Sequence, residues 1–194
     1  MKGTTQMQLI RIFPVEEGWC LLSEGVREVQ AELADLVKLV PSGVTVELLV
    51  PSSGVMMERF DLPKASKEEL MEMTQLQLEK LLPYGVDEVV FDIEIEPTPE
   101  EETVRVVALV VGLDVLEASG GLLRGMGVSL SGVGLLAQQN ALLHEAEAGV
   151  TLMVWKELDR PFVVLAERGK ILWMEGLAEV PGVLAEMEVA RALL

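Results

Sequence analysis

Gly132-Val-Gly134-Leu-Leu-Ala137 has the residue types and spacing of a dinucleotide-binding turn. A G-x-G-x-x-A run that leaves a strand and opens a helix brings backbone amides close to a pyrophosphate, and an acidic residue about 20 positions on holds the ribose. Glu157 and Asp159 stand at that distance. Against this, the strand expected around Val128 and Leu130 is short and carries Ser129 and Ser131, and the region from Gly120 to Gly134 is dense in glycine, so a chance match is expected. Cofactor binding through Gly132, Gly134 and Asp159 is retained as an alternative only.

Other chemistry finds less support. His144 is the single histidine, flanked by Leu143 and Glu145 on an expected helix, where a half-buried structural imidazole is the simpler reading. One cysteine, Cys20, can form no internal disulfide, which fits a reducing compartment, and Cys/His metal ligation fails on count. Glu100-Glu101-Glu102 reads as a solvated hairpin tip without the alternating oxygen ligands of a calcium loop, and Glu68, Glu69 and Glu72 as an acidic helix start that suits the macrodipole. Trp19, Trp155 and Trp173 sit in strand patterns and are expected in core or interface. No catalytic residue, metal ligand or cofactor is assigned.

Composition narrows the partners. The chain has 194 residues, half of them hydrophobic, and a formal net charge of −17 from 32 acidic against 15 basic residues. A basic face able to release counterions from phosphates is not expected, which argues against nucleic acid. Anionic lipid is repelled by the same sign, and basic protein segments are favoured. Lys2 is followed by GTTQMQ rather than an apolar core, so no signal peptide is expected. No run reaches the roughly 18 apolar residues that span a bilayer. A cytoplasmic location follows as the expectation.

The elements that position these residues centre on the stretch from Arg59 to Val111. Ser66 and Glu69 form a capping box, so a helix is predicted over residues 67–82, ended by Pro83 and Gly85. It presents Leu70, Thr74, Leu78 and Leu81 on one side, while Met73 and Leu76 lie partly off that stripe. Phe91, Ile93 and Ile95 then alternate with Asp92, Glu94 and Glu96, a strand with one buried and one wet face, and residues 103–111 return as a second strand.

Upstream, strands are predicted at residues 7–13 and 19–22, and Val26, Val29, Leu33, Leu36, Val37 and Val40 form one apolar stripe, predicting a helix over residues 26–40. Residues 44–50 and 55–62 read as antiparallel neighbours joined by a Pro51-Ser-Ser-Gly54 turn. Downstream, a weaker helix is predicted over 112–125 and another over 134–147. Strands follow at 150–155, 162–166 and 170–174, the last two joined at Arg168-Gly169, and then a helix over 183–194.

The Arg59-x-x-x-Pro63 strand end, the capped acidic helix closing on Leu82-Pro83-Tyr84 and the strand carrying Asp92 resemble the actin-like assembly proteins of bacterial envelope machines. These are the type IV pilus assembly protein PilM and the cytoplasmic part of the type II secretion protein L. The resemblance implies an α/β (α+β) chain with actin-like, ribonuclease-H-like lobes and an inserted ferredoxin-like subdomain. Residues 1–54 would be a shortened first lobe, 55–131 the insertion, and 132–194 a helix plus the start of the second lobe. The uncapped ending at Leu194 suggests a fragment of a longer chain, and a transmembrane helix downstream would favour the secretion protein.

Actin-like folds usually bind ATP through acidic, glycine-bearing turns between the first two strands of each lobe. At those places this chain has Phe13-Pro-Val-Glu-Glu-Gly18 and Trp155-Lys-Glu-Leu-Asp-Arg160, neither containing Asp-x-Gly. The resemblance therefore implies a non-catalytic scaffold, without ATPase activity, that binds the assembly ATPase or inner-membrane assembly proteins. It would be held at the inner membrane through partners, and a homodimer is compatible with it. An actin-like ATPase is the alternative. Candidate partner-binding residues are Met73 and Leu76 on the helix and Asp92 and Glu94 on the strand.

Overall fold

The structure is a computed structural model, and it describes residues 9–23, 26–100, 102–143, 149–158 and 160–177. The chain divides into two units, residues 54–117 and the remainder.

The larger unit begins with an antiparallel meander, β1 (Ile10–Val15), β2 (Gly18–Ser23) and β3 (Val26–Gln30), followed by a short helix α1 (Leu33–Val37) and by β4 (Thr45–Val50), which lies parallel to β1. The helix predicted over residues 26–40 is thus a strand followed by little more than one helical turn. Val26 and Val29 stand opposite Ser23 and Cys20 in the ladder with β2. β3 is an exposed edge with little to bury, so its apolar spacing did not report its conformation. Leu33 and Leu36 are the part of the stripe buried in the core, beside Ile10, Ile12, Leu21, Val46 and Leu48, with Val37 and Val40 packed against it.

Pro51 to Gly54 is not a hairpin turn. A 3-10 turn, Ser52–Gly54, carries the chain out of the first sheet into β5 (Val55–Pro63), which belongs to the inserted unit. β4 has no flank to offer β5, because β1 takes one side and a later strand the other.

In the inserted unit β5 leads to α2 (Lys67–Leu81), then to the hairpin of β6 (Val89–Pro97) and β7 (Thr103–Gly112). The strands form an antiparallel sheet in the order β5-β7-β6. The capping box is formed as expected. Glu69 N–H donates to Ser66 Oγ at 3.3 Å, and Ser66 N–H donates to Glu69 Oε2 at 2.9 Å. α2 buries Leu70, Thr74 and Leu78 against one face of the sheet, where Leu62, Ile93, Val104, Val106, Ala108 and Val110 complete the core.

The chain leaves β7 through α3 (Leu113–Leu116), a π turn (Glu117–Gly121) and α4 (Leu122–Gly125). The division between units falls at Glu117, and β8 (Ser129–Leu135) pairs in parallel with β4. Residues 118–131, expected with the insertion, therefore lie with the larger unit. The first sheet is complete with the order β3-β2-β1-β4-β8.

α5 (Leu136–Leu142) follows β8 directly and starts two residues later than predicted, and residues 144–147 of the expected helix lie outside the described residues. β9 (Val150–Glu157), β10 (Arg160–Glu167) and β11 (Lys170–Gly176) then form a second antiparallel meander. Arg168 and Gly169, both at positive φ, turn β10 into β11 as expected. The helix predicted over 183–194 lies outside the described residues.

Candidate functional site

Each meander presents its first hairpin turn as a candidate ligand site. Between β1 and β2 the turn is Glu16-Glu17, closed by Gly18 at φ 135°. A Cβ at Gly18 would collide with the Gln30 carbonyl oxygen and with the Ala31 backbone. The close approach this glycine permits is therefore to the chain's own β3 end, not to a phosphate. In the turn from β9 to β10, Leu158 adopts a left-handed φ of 55°, a conformation that ordinarily favours glycine. Asp159 lies outside the described residues.

The two regions are tied together. Lys156, near the end of β9, places Nζ 2.9 and 3.0 Å from the two carboxylate oxygens of Glu16. One residue further on, Glu157 is 4% exposed. Its Oε1 accepts from the Ser52 backbone N–H, and its Oε2 accepts from Trp155 Nε1–H at 3.2 Å. Ser52 is itself fully buried, and its Oγ accepts from the Ala137 N–H at 3.0 Å. Glu157, Ser52 and Ala137 thus join the end of β9, the exit from β4 and the start of α5 in one buried polar junction. Burial pushes the Glu157 carboxyl above the usual carboxylate range, and the bonds from Ser52, Trp155 and Ser53 offset only part of that shift. Chemically, the arrangement holds the two sheets of this unit to each other. Its lysine and its carboxylates bond within the protein.

Gly132 and Gly134 lie inside β8 rather than in a turn between strand and helix. A Cβ at Gly134 would meet Leu49 Cδ2 at 2.9 Å and Glu47 Oε1 at 3.0 Å, so this glycine serves the packing of β8 on β4. Ala137, last residue of the dinucleotide-like run, gives its N–H to Ser52, and Glu157, the candidate ribose contact, is enclosed. The glycines that sequence spacing brought together do not form a phosphate-binding turn. His144 lies outside the described residues. Cys20 is buried, and burial raises its thiol pKa against a smaller lowering by Arg27. Among the described residues no group of three His, Cys, Asp or Glu side chains is placed to hold a metal ion.

The four candidate partner-binding residues separate into two surfaces. On α2, Leu76 is 56% exposed while Met73 packs against the unit's core. On β6, Asp92 and Glu94 are exposed, and β6 is an outer strand of its sheet. Sequence spacing missed the junction of Ser52 with Glu157 and the pairing of Glu16 with Lys156, because the partners stand 105 and 140 residues apart. The local sign was a carboxylate at the strand end, two residues after a tryptophan.

No protein-family model and no curated protein sequence matches the chain. Solved structures do. A chain of the PilM-PilN type IV pilus biogenesis complex superposes with a TM-score of 0.64 at 18% identity, over 96% of this chain and 66% of its own length. The cytoplasmic domain of EpsL, an inner membrane component of the type II secretion system of Vibrio cholerae, superposes with a TM-score of 0.55 at 18% identity, over 87% and 70% respectively. A protein of Bacteroides thetaiotaomicron with an actin-like ATPase fold gives a TM-score of 0.50 at 12% identity, over 97% and 78%. This chain spans just under two thirds of the pilus-complex chain. No helix among the described residues is long and apolar enough to cross a membrane. At these identities the likeness is one of fold, and the chain is a mixed α/β protein of the actin-like class, built on the plan shared by pilus and secretion-system components.

Proposed function

We propose that this chain is a non-catalytic scaffold of a type IV pilus or type II secretion machine. It works on the cytoplasmic side of the inner membrane and binds the assembly ATPase or the cytoplasmic tail of a membrane partner. The fold likeness supports the machine. The observation that carries the scaffold reading is the Lys156–Glu16 pair above the enclosed Glu157. A phosphate site needs cationic and amide groups turned toward the ligand. Here the lysine meets a carboxylate, and the Ser52 amide meets another.

The net charge of −17 further supports basic protein segments as partners, with association that slows as salt rises. Titration calorimetry with magnesium and ATP tests the reading, the expectation being no micromolar binding and no turnover, alongside titration with the purified assembly ATPase, where binding is expected. Micromolar ATP binding would overturn the scaffold reading in favour of an actin-like ATPase, which the actin-like ATPase fold of the Bacteroides neighbour favours.

A further inference from the structure

β6 is an outer strand of the inserted sheet, paired with β7 on one side only. Among the described residues no strand pairs with its other side, which presents main-chain donors and acceptors in strand spacing, a template for a further strand. The charge around it has one sign. Between Val86 and Thr103 the sequence holds eight acidic residues and no lysine or arginine. β5, the other outer strand of the sheet, carries Glu58, Arg59 and Asp61, and the Arg105 guanidinium of the central strand, which stands opposite Glu96 of β6, bonds Asp61 at 2.9 and 3.3 Å. The net negative charge of the sheet thus gathers at the β6 side. Two aliphatic residues break the acidic run, Val90 at 44% and Ile95 at 41% exposure, on opposite faces of the strand.

Acidic edges are a familiar guard against pairing with another copy, because two such strands would oppose carboxylates. The same charge that refuses an acidic strand attracts a cationic one. We propose that β6 is a docking edge for an extended basic segment of a protein partner, which adds beside it as a fourth strand. The segment that fits alternates lysine or arginine with aliphatic residues, so that its charges meet the face of Asp92 and Glu94 and its apolar residues meet Ile95 on the opposite face. This deepens the scaffold reading and rests on it, naming the surface and the chemistry of the partner.

The test uses the full chain labelled with nitrogen-15 and an acetylated nine-residue peptide of alternating lysine and valine, matched to the nine residues of β6. Binding is expected to slow amide exchange across β6 and to weaken roughly tenfold or more on raising salt through the range where exposed charges are screened. The same peptide N-methylated at alternate amides, and a glutamate–valine peptide, are expected not to bind. Asp92→Lys is expected to weaken binding with an unchanged melting temperature, and Asp92→Asn is the second variant should the reversal disturb folding. Equal binding of the N-methylated peptide would reduce the effect to charge alone and overturn strand addition. Protection centred on Leu76 instead of β6 would move the surface to α2, and absence of binding by the lysine–valine peptide would also overturn the docking edge. None of these failures touches the scaffold reading, which stands or falls on the ATP and assembly-ATPase titrations.

Discussion

In the inserted unit, Asp61 and Glu69 are held below the ordinary carboxylate range, whereas in the larger unit Glu157 is held above it. Asp61 is lowered by its hydrogen bond from Arg105, and Glu69 by the Ser66 backbone N–H of the capping box. Both are surface groups for which the bonds outweigh a small loss of water. Glu157 also accepts hydrogen bonds, from Ser52 and Trp155, and its pKa still rises. The difference teaches how enclosure sets the sign here: hydrogen bonds favour the ion in all three groups, but at Glu157 they do not outweigh the loss of water.

The pH dependence follows with opposite signs. Depressed groups stabilise fully above their unfolded values of about 3.8 for Asp61 and 4.5 for Glu69, and that contribution is lost as pH falls through their lower folded values. For Glu157 the folded value lies above 4.5, so its contribution is most favourable below 4.5 and declines as pH rises through the folded value.

The largest expected effect asks whether the inserted unit is held by its apolar face, with its charges peripheral. Leu78→Ala, at a fully buried position, should cost about 2–5 kcal/mol, whereas Leu76→Ala should change stability by about 0.5 kcal/mol or less, both read from urea denaturation. Equal losses would mean that α2 does not bind through the Leu70–Thr74–Leu78 stripe.

Next comes the buried junction. Glu157→Ala leaves the Ser52 N–H and Trp155 Nε1–H without their acceptor and should cost about 1–3 kcal/mol. Glu157→Gln, close in shape and without charge, should remove the decline in stability expected of the native chain as pH rises above 4.5. A decline that persists in Glu157→Gln would assign it to another group and break the contrast between the units.

The smallest effect is local. Ser66→Ala should cost about 1 kcal/mol and speed amide exchange over residues 67–71. It should also return the Glu69 pKa toward 4.5, observable by carboxyl NMR titration, because the hydroxyl and the ordered N–H that favour its ion are lost or loosened.

These contrasts parallel what was legible along the chain. Sequence by itself determined the capped helix and the strand hairpin of the inserted unit. Ser66 and Glu69 are three positions apart, the stripe of Leu70, Thr74 and Leu78 repeats every four, and the alternation through Phe91 and Ile93 names the core face of its strand, which Ile95 leaves at 41% exposure. Such signals are read within one turn or one strand, where backbone hydrogen bonding and burial coincide. The actin-like resemblance was legible there for the same reason.

Tertiary structure alone decided the rest. Val26 and Val29 fit a helical stripe until β2 supplied a ladder for them, and Pro51 to Gly54 resembled a hairpin turn until β8 took the flank of β4. Gly132 and Gly134 matched a cofactor fingerprint until β8 ran straight through them. Glu16 meets Lys156 and Ser52 meets Glu157 only because two meanders distant in sequence fold into one unit. A strand's partners, and the water lost from a carboxylate, depend on chain segments far away, and no local spacing encodes either.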